Sequence, residues 1–307
     1  MIVSWAVRAP QIIRAMGWSM LIFICWDFFV VVGEMVMHWT WISWPSIPLA
    51  LYGAAIGLLV SFRNGSTYNR WWEARTLWGA IVNKSRTFAR QVFNTMSAGE
   101  GATEQEQAEV AQVQRKLVFH QVAYVHALRQ QLRGLDPVAQ VARFVPAEDL
   151  NKLMHEKNVA LALQREMGRM LVAARRRGWL DEWEWQAMDR SLDGLMDAQG
   201  GAERIKNTPM PRQYDFLARF FVLIYCVLLP VALVESLKWF TPLGSLVVGS
   251  MFMALDKIGR DLEDPFDNTI YDVPMTAIAT TIEINLRQLI GETELPDPVK
   301  AVDGVLW

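Results

Sequence analysis

The residues able to carry chemistry in this chain are few and scattered. Glu263, Asp264 and Asp267 place carboxylates at i, i+1 and i+4, hard oxygen donors of the kind that suit Ca2+. Asp27 and Glu34 fall seven apart on one face of an apolar run. Ionisable groups in such a setting face water, a partner or a pathway. The alternatives to a pathway are Glu34 at an outer interface and Asp27 paired with Arg219. His120, His126 and His155 lie in long helical stretches without metal-ligand spacing, and Arg175, Arg176 and Arg177 close a helix beside Gly178. Solvated or capping roles are expected for all six. Cys25 and Cys226 sit in apolar runs outside any CxxC pair, which removes zinc and thioredoxin-type chemistry. No nucleophile elbow, phosphate loop or metal-binding helix motif occurs. The chain does not read as an enzyme.

Another pattern suits transport better than catalysis. Gly53, Gly57 and Ser61 form a small-xxx-small stripe that lets helices approach closely, and Ala54, Leu58 and Phe62 form an apolar stripe beside it. A helix with these two edges fits a ring of identical helices, the small edge touching the neighbour and the apolar edge facing the axis. An apolar ring offers an ion no donors or acceptors, so it gates by dewetting and need not set selectivity.

The elements that position such a helix follow from hydropathy. Of 307 residues, 52% are hydrophobic and 20% charged, and the mean hydropathy of +0.14 fits a chain part membrane, part soluble. Fourteen Trp and fourteen Phe against six Tyr suit bilayer interfaces. The balance of 30 Lys and Arg with 32 Asp and Glu excludes a basic nucleic-acid binder. Residues 15–37, 47–62, 216–234 and 239–255 are expected to span the membrane as two hairpins. The first run is too long, and too acidic at Asp27 and Glu34, for a cleavable signal. Arg8, Arg14, Arg63, Arg70, Arg75, Arg204, Lys206, Arg212, Lys257 and Arg260 flank one side of these spans, so both termini and residues 65–214 and 256–307 are expected to be cytoplasmic. The turn from His38 to Ser46 has no Lys or Arg, and Trp39, Trp41 and Trp44 fit an outer belt.

Apolar residues recur at helical spacing through Trp71, Leu77, Trp78, Ile81, Val82, Phe88, Val92 and Phe93, up to the break at residues 97–101. Further helices are expected over about 104–132, 146–177 and 180–199, the last ending at Gly200 and Gly201. No alternating strand pattern occurs. The expected fold is all α, four transmembrane helices with a large cytoplasmic helical region. The first cytoplasmic helix continues from the second span, which makes residues 1–307 a single unit.

The stretch from Ser61 to Gly79, with Arg70, Trp71, Trp72, Glu73 and Arg75 at its centre, resembles the signature of the bestrophin family of ion channels, bacterial branch. Asn207-Thr-Pro-Met-Pro211, Ile258-Gly-Arg-Asp-Leu-Glu-Asp-Pro-Phe-Asp267 and Asp272-Val-Pro274 agree with it. Taken alone, Arg70 and Glu73 read as an i,i+3 pair, the tryptophans as packing, and Asn207-Thr208-Pro209 as a helix start. The resemblance implies a homopentamer in the bacterial inner membrane, passing small monovalent ions through an axial pore. Its neck would fall on Ala54, Leu58 and Phe62, the alanine standing where a bulkier aliphatic residue is usual. A second, cytoplasmic aperture would fall at Val172. Animal relatives bind Ca2+ through acidic residues after the last span, which implicates Glu263, Asp264 and Asp267, although Pro265 and Phe266 replace acidic positions. Those relatives conduct chloride, and a Na+-selective channel of the same fold stands as the alternative. A secondary transporter is disfavoured because the hairpins show no inverted repeat. A membrane-anchored scaffold without a pore is the reading from another class.

Overall fold

A computed structural model describes residues 1–3, 9–39, 48–153 and 155–307. Arg8, Trp41, Trp44, Pro45 and Ile47 lie outside the described residues. The described chain is helical: α1 (Ala9–Met35), α2 (Leu49–Thr95), α3 (Glu104–Leu132), α4 (Val138–Val141), α5 (Ala147–Leu153), α6 (Val159–Arg176), α7 (Glu182–Asn207), α8 (Arg212–Leu237), α9 (Thr241–Asp261) and α10 (Met275–Leu289). Its only extended pairings, among the described residues, are isolated bridges of Val305 with Ile2 and Val302.

Contacts divide the chain into two compact units, to both of which α2 contributes. One holds Ser4–Trp71 and Pro209–Asp264; the other holds Met1–Val3, Trp72–Thr208 and Pro265–Trp307. Below, these are the apolar unit and the polar unit. Asn64, Gly65 and Ser66 do not interrupt α2, because Ser66 and Thr67 turn their hydroxyls back to the carbonyls of Phe62 and Asn64.

In the apolar unit α1, α8 and α9 pack against one another. Phe23, Ile56, Val60, Val222, Cys226 and Leu229 fill the centre. Two stretches, Gly17–Met35 and Arg212–Asp261, are long and apolar enough to cross a membrane. The second contains 50 residues, about 75 Å of helix against a hydrocarbon layer of about 30 Å. It is broken at Lys238, where φ is 52°, followed by a single 3-10 turn, so it folds back as a hairpin of two crossings. Residues 49–62 of α2 rise only about 21 Å before Arg63 and Asn64, which is short for a helix facing lipid.

The polar unit starts each long helix with a local signal. Thr103 and Glu106 form a capping box on α3, and Asp181 and Glu184 form another on α7. α3 matches its expected bounds. The expected helix over 146–177 is two helices, α5 and α6, because Asn158 accepts from the Leu161 amide at 3.0 Å and starts a new helix there. α7 does not stop at Gly200 and Gly201 but continues to Asn207. Gly201 serves packing instead: a Cβ there would lie 2.8 Å from Leu77 Cδ2 on α2. Trp78, Ile81, Phe88, Tyr124, Leu163 and Met188 are fully buried in this unit. The chain ends meet in it: the Met1 amino group donates to Leu306 O at 2.5 Å and Val3 N to Gly304 O at 2.9 Å.

Candidate pore lining and its anchoring charges

On α2 the buried positions are Ile56, Val60, Arg63 and Thr67, while Ala54, Leu58 and Phe62 point the other way and are exposed. Leu58 is 60% and Phe62 64% exposed, two large apolar side chains with no cover from their own chain. The small-residue stripe divides. Gly53 packs inside the protomer, where a Cβ would sit 3.0 Å from Tyr225 Oη, whereas Gly57 meets nothing within 4 Å. The expectation that the whole stripe faces a neighbouring copy therefore fails at Gly53. Its missing side chain makes room for Tyr225 of α8.

Arg63, directly after Phe62, fixes the rotation of this helix. It is 2% exposed. Its Nη1 donates to Asp256 Oδ1 at 2.7 Å and Asp215 Oδ1 at 3.2 Å, and its Nη2 to the Asp256 carbonyl at 2.5 Å. Asp256 also pairs with Arg260 at 3.1 Å, and Asn64 Nδ2 donates to Leu255 O at 2.8 Å. Gly259 leaves space for this clamp, since a Cβ there would meet Asn64 Oδ1 and lie 2.6 Å from Arg63 Nη2. The clamp ties α2 to α8 and α9 and turns the Phe62 face away from them.

The signature residues anchor the same region. Arg70 Nε donates to Glu263 O at 2.8 Å, and Trp71 stacks on Tyr68 with centroids 6.4 Å apart. Trp72 is 56% exposed, Glu73 pairs with Arg204, and Arg75 is exposed on α2. Asn207 and Thr208 end α7, and the prolines that follow lead into α8, so this motif closes one helix before it starts the next.

The acidic group does not assemble. Among the described residues no three His, Cys, Asp or Glu side chains are placed to hold a metal ion. Asp267 is taken by Lys206 Nζ at 2.5 Å. Burial, then the nearby Asp215, pushes the Glu263 carboxyl above its usual pKa. Between α9 and α10 the Asp272 carboxylate accepts from the Thr269 amide at 2.9 Å, and Val273 N donates to Pro265 O at 3.0 Å, which makes this loop a structural turn.

Val172 lies half-buried on α6 in an open groove with Arg165, Arg169, Arg176 and Arg177. Arg169 pairs with Glu166 at 2.8 Å, as Arg165 does with Glu156. Arg176 is exposed with no ion pair among the described residues. Asp27 is fully buried in the apolar unit, and no ion pair reaches it among the described residues. It does not pair with Arg219, which is exposed about two turns into α8.

His120 and His126 are buried rather than solvated. His126 Nε2 donates to Glu283 Oε2 at 2.9 Å, while His120 Nδ1 lies 2.9 Å from Lys116 O. No local sequence signal marks this histidine–glutamate pair, because Glu283 is on α10, a helix the sequence reading missed.

Fold and site together define an all-helical membrane protein with an unpartnered apolar helix face held in place by a buried charge clamp. Comparison with known proteins makes the class specific. The chain belongs to the family described as Bacterial/Fungal Bestrophin protein, which matches residues 4–288. This is a family of channels, not of enzymes. The chain is 34% identical over 278 residues to a voltage-dependent anion channel-forming protein of Ralstonia nicotianae, covering 89% of this chain and 88% of that one. It is 33% identical over 258 residues to a protein of the same description from Escherichia coli O157:H7, covering 84% and 81%. The crystal structure of a bacterial bestrophin homolog from Klebsiella pneumoniae superposes with a TM-score of 0.82 at 30% identity, covering 90% of this chain and 98% of that one.

Proposed function

We propose that this protein is an anion channel of the bacterial inner membrane, a homopentamer passing small monovalent ions such as chloride passively along its axis. The observation that carries the reading is the exposed face of Ala54, Leu58 and Phe62. It is apolar, faces away from every helix of its own unit, and is fixed there by Arg63. Five copies around an axis would cover it against itself and close an apolar neck. The shortness of the apolar part of α2 fits this, because a helix ringed by protein does not need a lipid-length span. Ions would pass the neck only when it is wetted.

In this reading residues 15–37, 47–62, 216–234 and 239–255 span the membrane and both termini are cytoplasmic. The hydrogen-bonded chain ends support that orientation, since they share one side. Val172 would line a second aperture toward the cytoplasm. The arginines flanking it favour anions over Na+. Glu156 and Glu166 offset part of that charge, so the expected preference is moderate.

The test is a reversal-potential measurement in planar bilayers under asymmetric NaCl. A potential near the chloride equilibrium value supports the reading, and one near the sodium value assigns cation selectivity instead. Leu58→Ala with Phe62→Ala should raise conductance. An unchanged current would remove these residues from the pore, and a monomer without flux would leave a scaffold.

A further inference from the structure

The apolar unit contains two recesses that share a wall, and the neck reading uses neither. The first, between α1, α8 and α9, is lined by Ser19, Arg219, Met253, Asp256, Lys257 and Arg260 and has a volume of about 190 Å3. The second, about 390 Å3, shares Ser19, Leu223 and Met253 with it and continues along Ile22, Trp26 and Val227. One end is cationic and the other is hydrocarbon.

The charges at the first end are not self-satisfied. Among the described residues Asp256 is the only carboxylate lining it, and that group already accepts from Arg63 and Arg260. Lys257 is held by Asp261 at 2.8 Å on the helix rim. Arg219 is exposed and has no ion pair or hydrogen bond among the described residues. An arginine without an anion is costly in a helix that crosses a membrane unless its head reaches the phosphate level. Arg219 lies three residues into the span at 216–234, about 5 Å at 1.5 Å per residue, so its long side chain can reach back to the headgroups.

The apolar half continues in register. Leu223 and Val227 follow Arg219 at i+4 and i+8 on α8 and are 58% and 42% exposed. Opposite them Ser19, Ile22 and Trp26 follow one another at i, i+3 and i+7 on α1. Trp26 Nε1 donates to Val227 O at 2.9 Å and closes the far end. From Arg219 to Val227 the groove therefore runs about 12 Å from cation to hydrocarbon.

We propose that this composite groove holds one phospholipid with an anionic headgroup. The phosphate sits against Arg219, Lys257 and Arg260, and one acyl chain lies along Ile22, Leu223 and Val227 toward Trp26. Basic recesses between transmembrane helices on the cytoplasmic side recognise anionic headgroups, and the continuous apolar wall selects a lipid over a free anion. The inference rests on the membrane embedding of α1, α8 and α9 and not on conduction. A protein that retains the lipid but passes no current would refute the channel reading and leave this one intact.

The experiment uses the full-length protein in mild detergent with equimolar phosphatidylglycerol and phosphatidylcholine, the retained lipid being read by native mass spectrometry. Phosphatidylglycerol should be retained in preference. Arg219→Gln should lower that retention about fivefold, the contribution of one basic side chain near an anionic surface, and Arg219→Lys should keep most of it. Leu223→Trp, which fills the apolar half, should also lower it. Equal retention of both lipids by the unmodified protein, or an Arg219→Gln variant indistinguishable from it, overturns the proposal. Displacement of the lipid by millimolar inorganic phosphate, with Leu223→Trp without effect, would assign a free-anion site and overturn it too. A Leu223→Cys variant that loses maleimide labelling on assembly in lipid-free detergent would show a neighbouring copy in the groove, with the same consequence.

Discussion

Arg63→Met is the most demanding perturbation of the clamp. It removes the partner of Asp256, whose side chain is only 6% exposed, together with a hydrogen bond to the Asp256 carbonyl. Breaking a buried ion pair from one side costs about 3–5 kcal/mol, because the remaining charge is left desolvated. Arg260, at 3.1 Å, still neutralises part of it, which argues for the lower half of that range. With about 2 cal/mol/K of unfolding entropy per residue over 307 residues, a loss of this size lowers the melting temperature by about 5–6 °C. Replacing both partners by apolar side chains of similar volume is often neutral, so Arg63→Met with Asp256→Leu should recover more than half of the loss. Asp215→Asn should cost under about 1 kcal/mol, since Asp215 is one-third exposed and solvent screens its share. The assay is thermal unfolding of the detergent-purified protein followed by intrinsic tryptophan fluorescence. A shift below about 2 °C for Arg63→Met, or a double variant less stable than the sum of its parts, would refute the clamp as the element that orients α2.

Three further outcomes follow from the geometry. Gly53→Leu should destabilise the protomer by about 1–3 kcal/mol by forcing Tyr225 aside, whereas Gly57→Ala should leave protomer stability within about 0.5 kcal/mol and act, if at all, on assembly; thermal melts with native mass separate the two effects. Gly259→Ala should lower the melting temperature in the same direction as Arg63→Met, and its effect should shrink in the Arg63→Met background, which a double-mutant cycle reads. The polar unit should lose stability on acidification: burial lowers the pKa values of His120 and His126 below the usual 6.5. A histidine held neutral in the folded state contributes fully above the unfolded value, and the contribution is lost as pH falls below it. For Glu283 burial acts upward but the hydrogen bonds from His126 and Arg287 outweigh it, so its lowered pKa adds a further loss below about pH 4.5. Melting temperatures at pH 7.5 and 5.5 check this, and His126→Gln should flatten the difference.

Much of the plan was legible in the sequence because it is local. The sequence placed α3 to the residue and the buried Trp78, Ile81, Phe88 and Val92 of α2, and the motif strings identified the family. The same alignment of stripes singled out Ala54, Leu58 and Phe62, which the structure leaves exposed on one face. Local reasoning failed where a residue has two uses. Gly200 and Gly201 read as a helix end, yet Gly201 permits close packing against Leu77 within α7. Asn158 gave the break between α5 and α6 only once its cap was seen. The calcium reading came from the resemblance to animal relatives, and nothing local in the sequence shows that Lys206 pairs with Asp267.

The sequence alone determined where the main apolar faces lie and where α3 begins and ends, since those depend on neighbours within about two turns. Which charge meets which was left to the tertiary structure. Arg63 and Asp256 are 193 residues apart and His126 and Glu283 are 157 apart, and a pairing over such a distance has no signature in either local segment. Only packing decided that Arg63 is a buried anchor, that Asp27 is fully buried, and that Arg219 opens onto a groove.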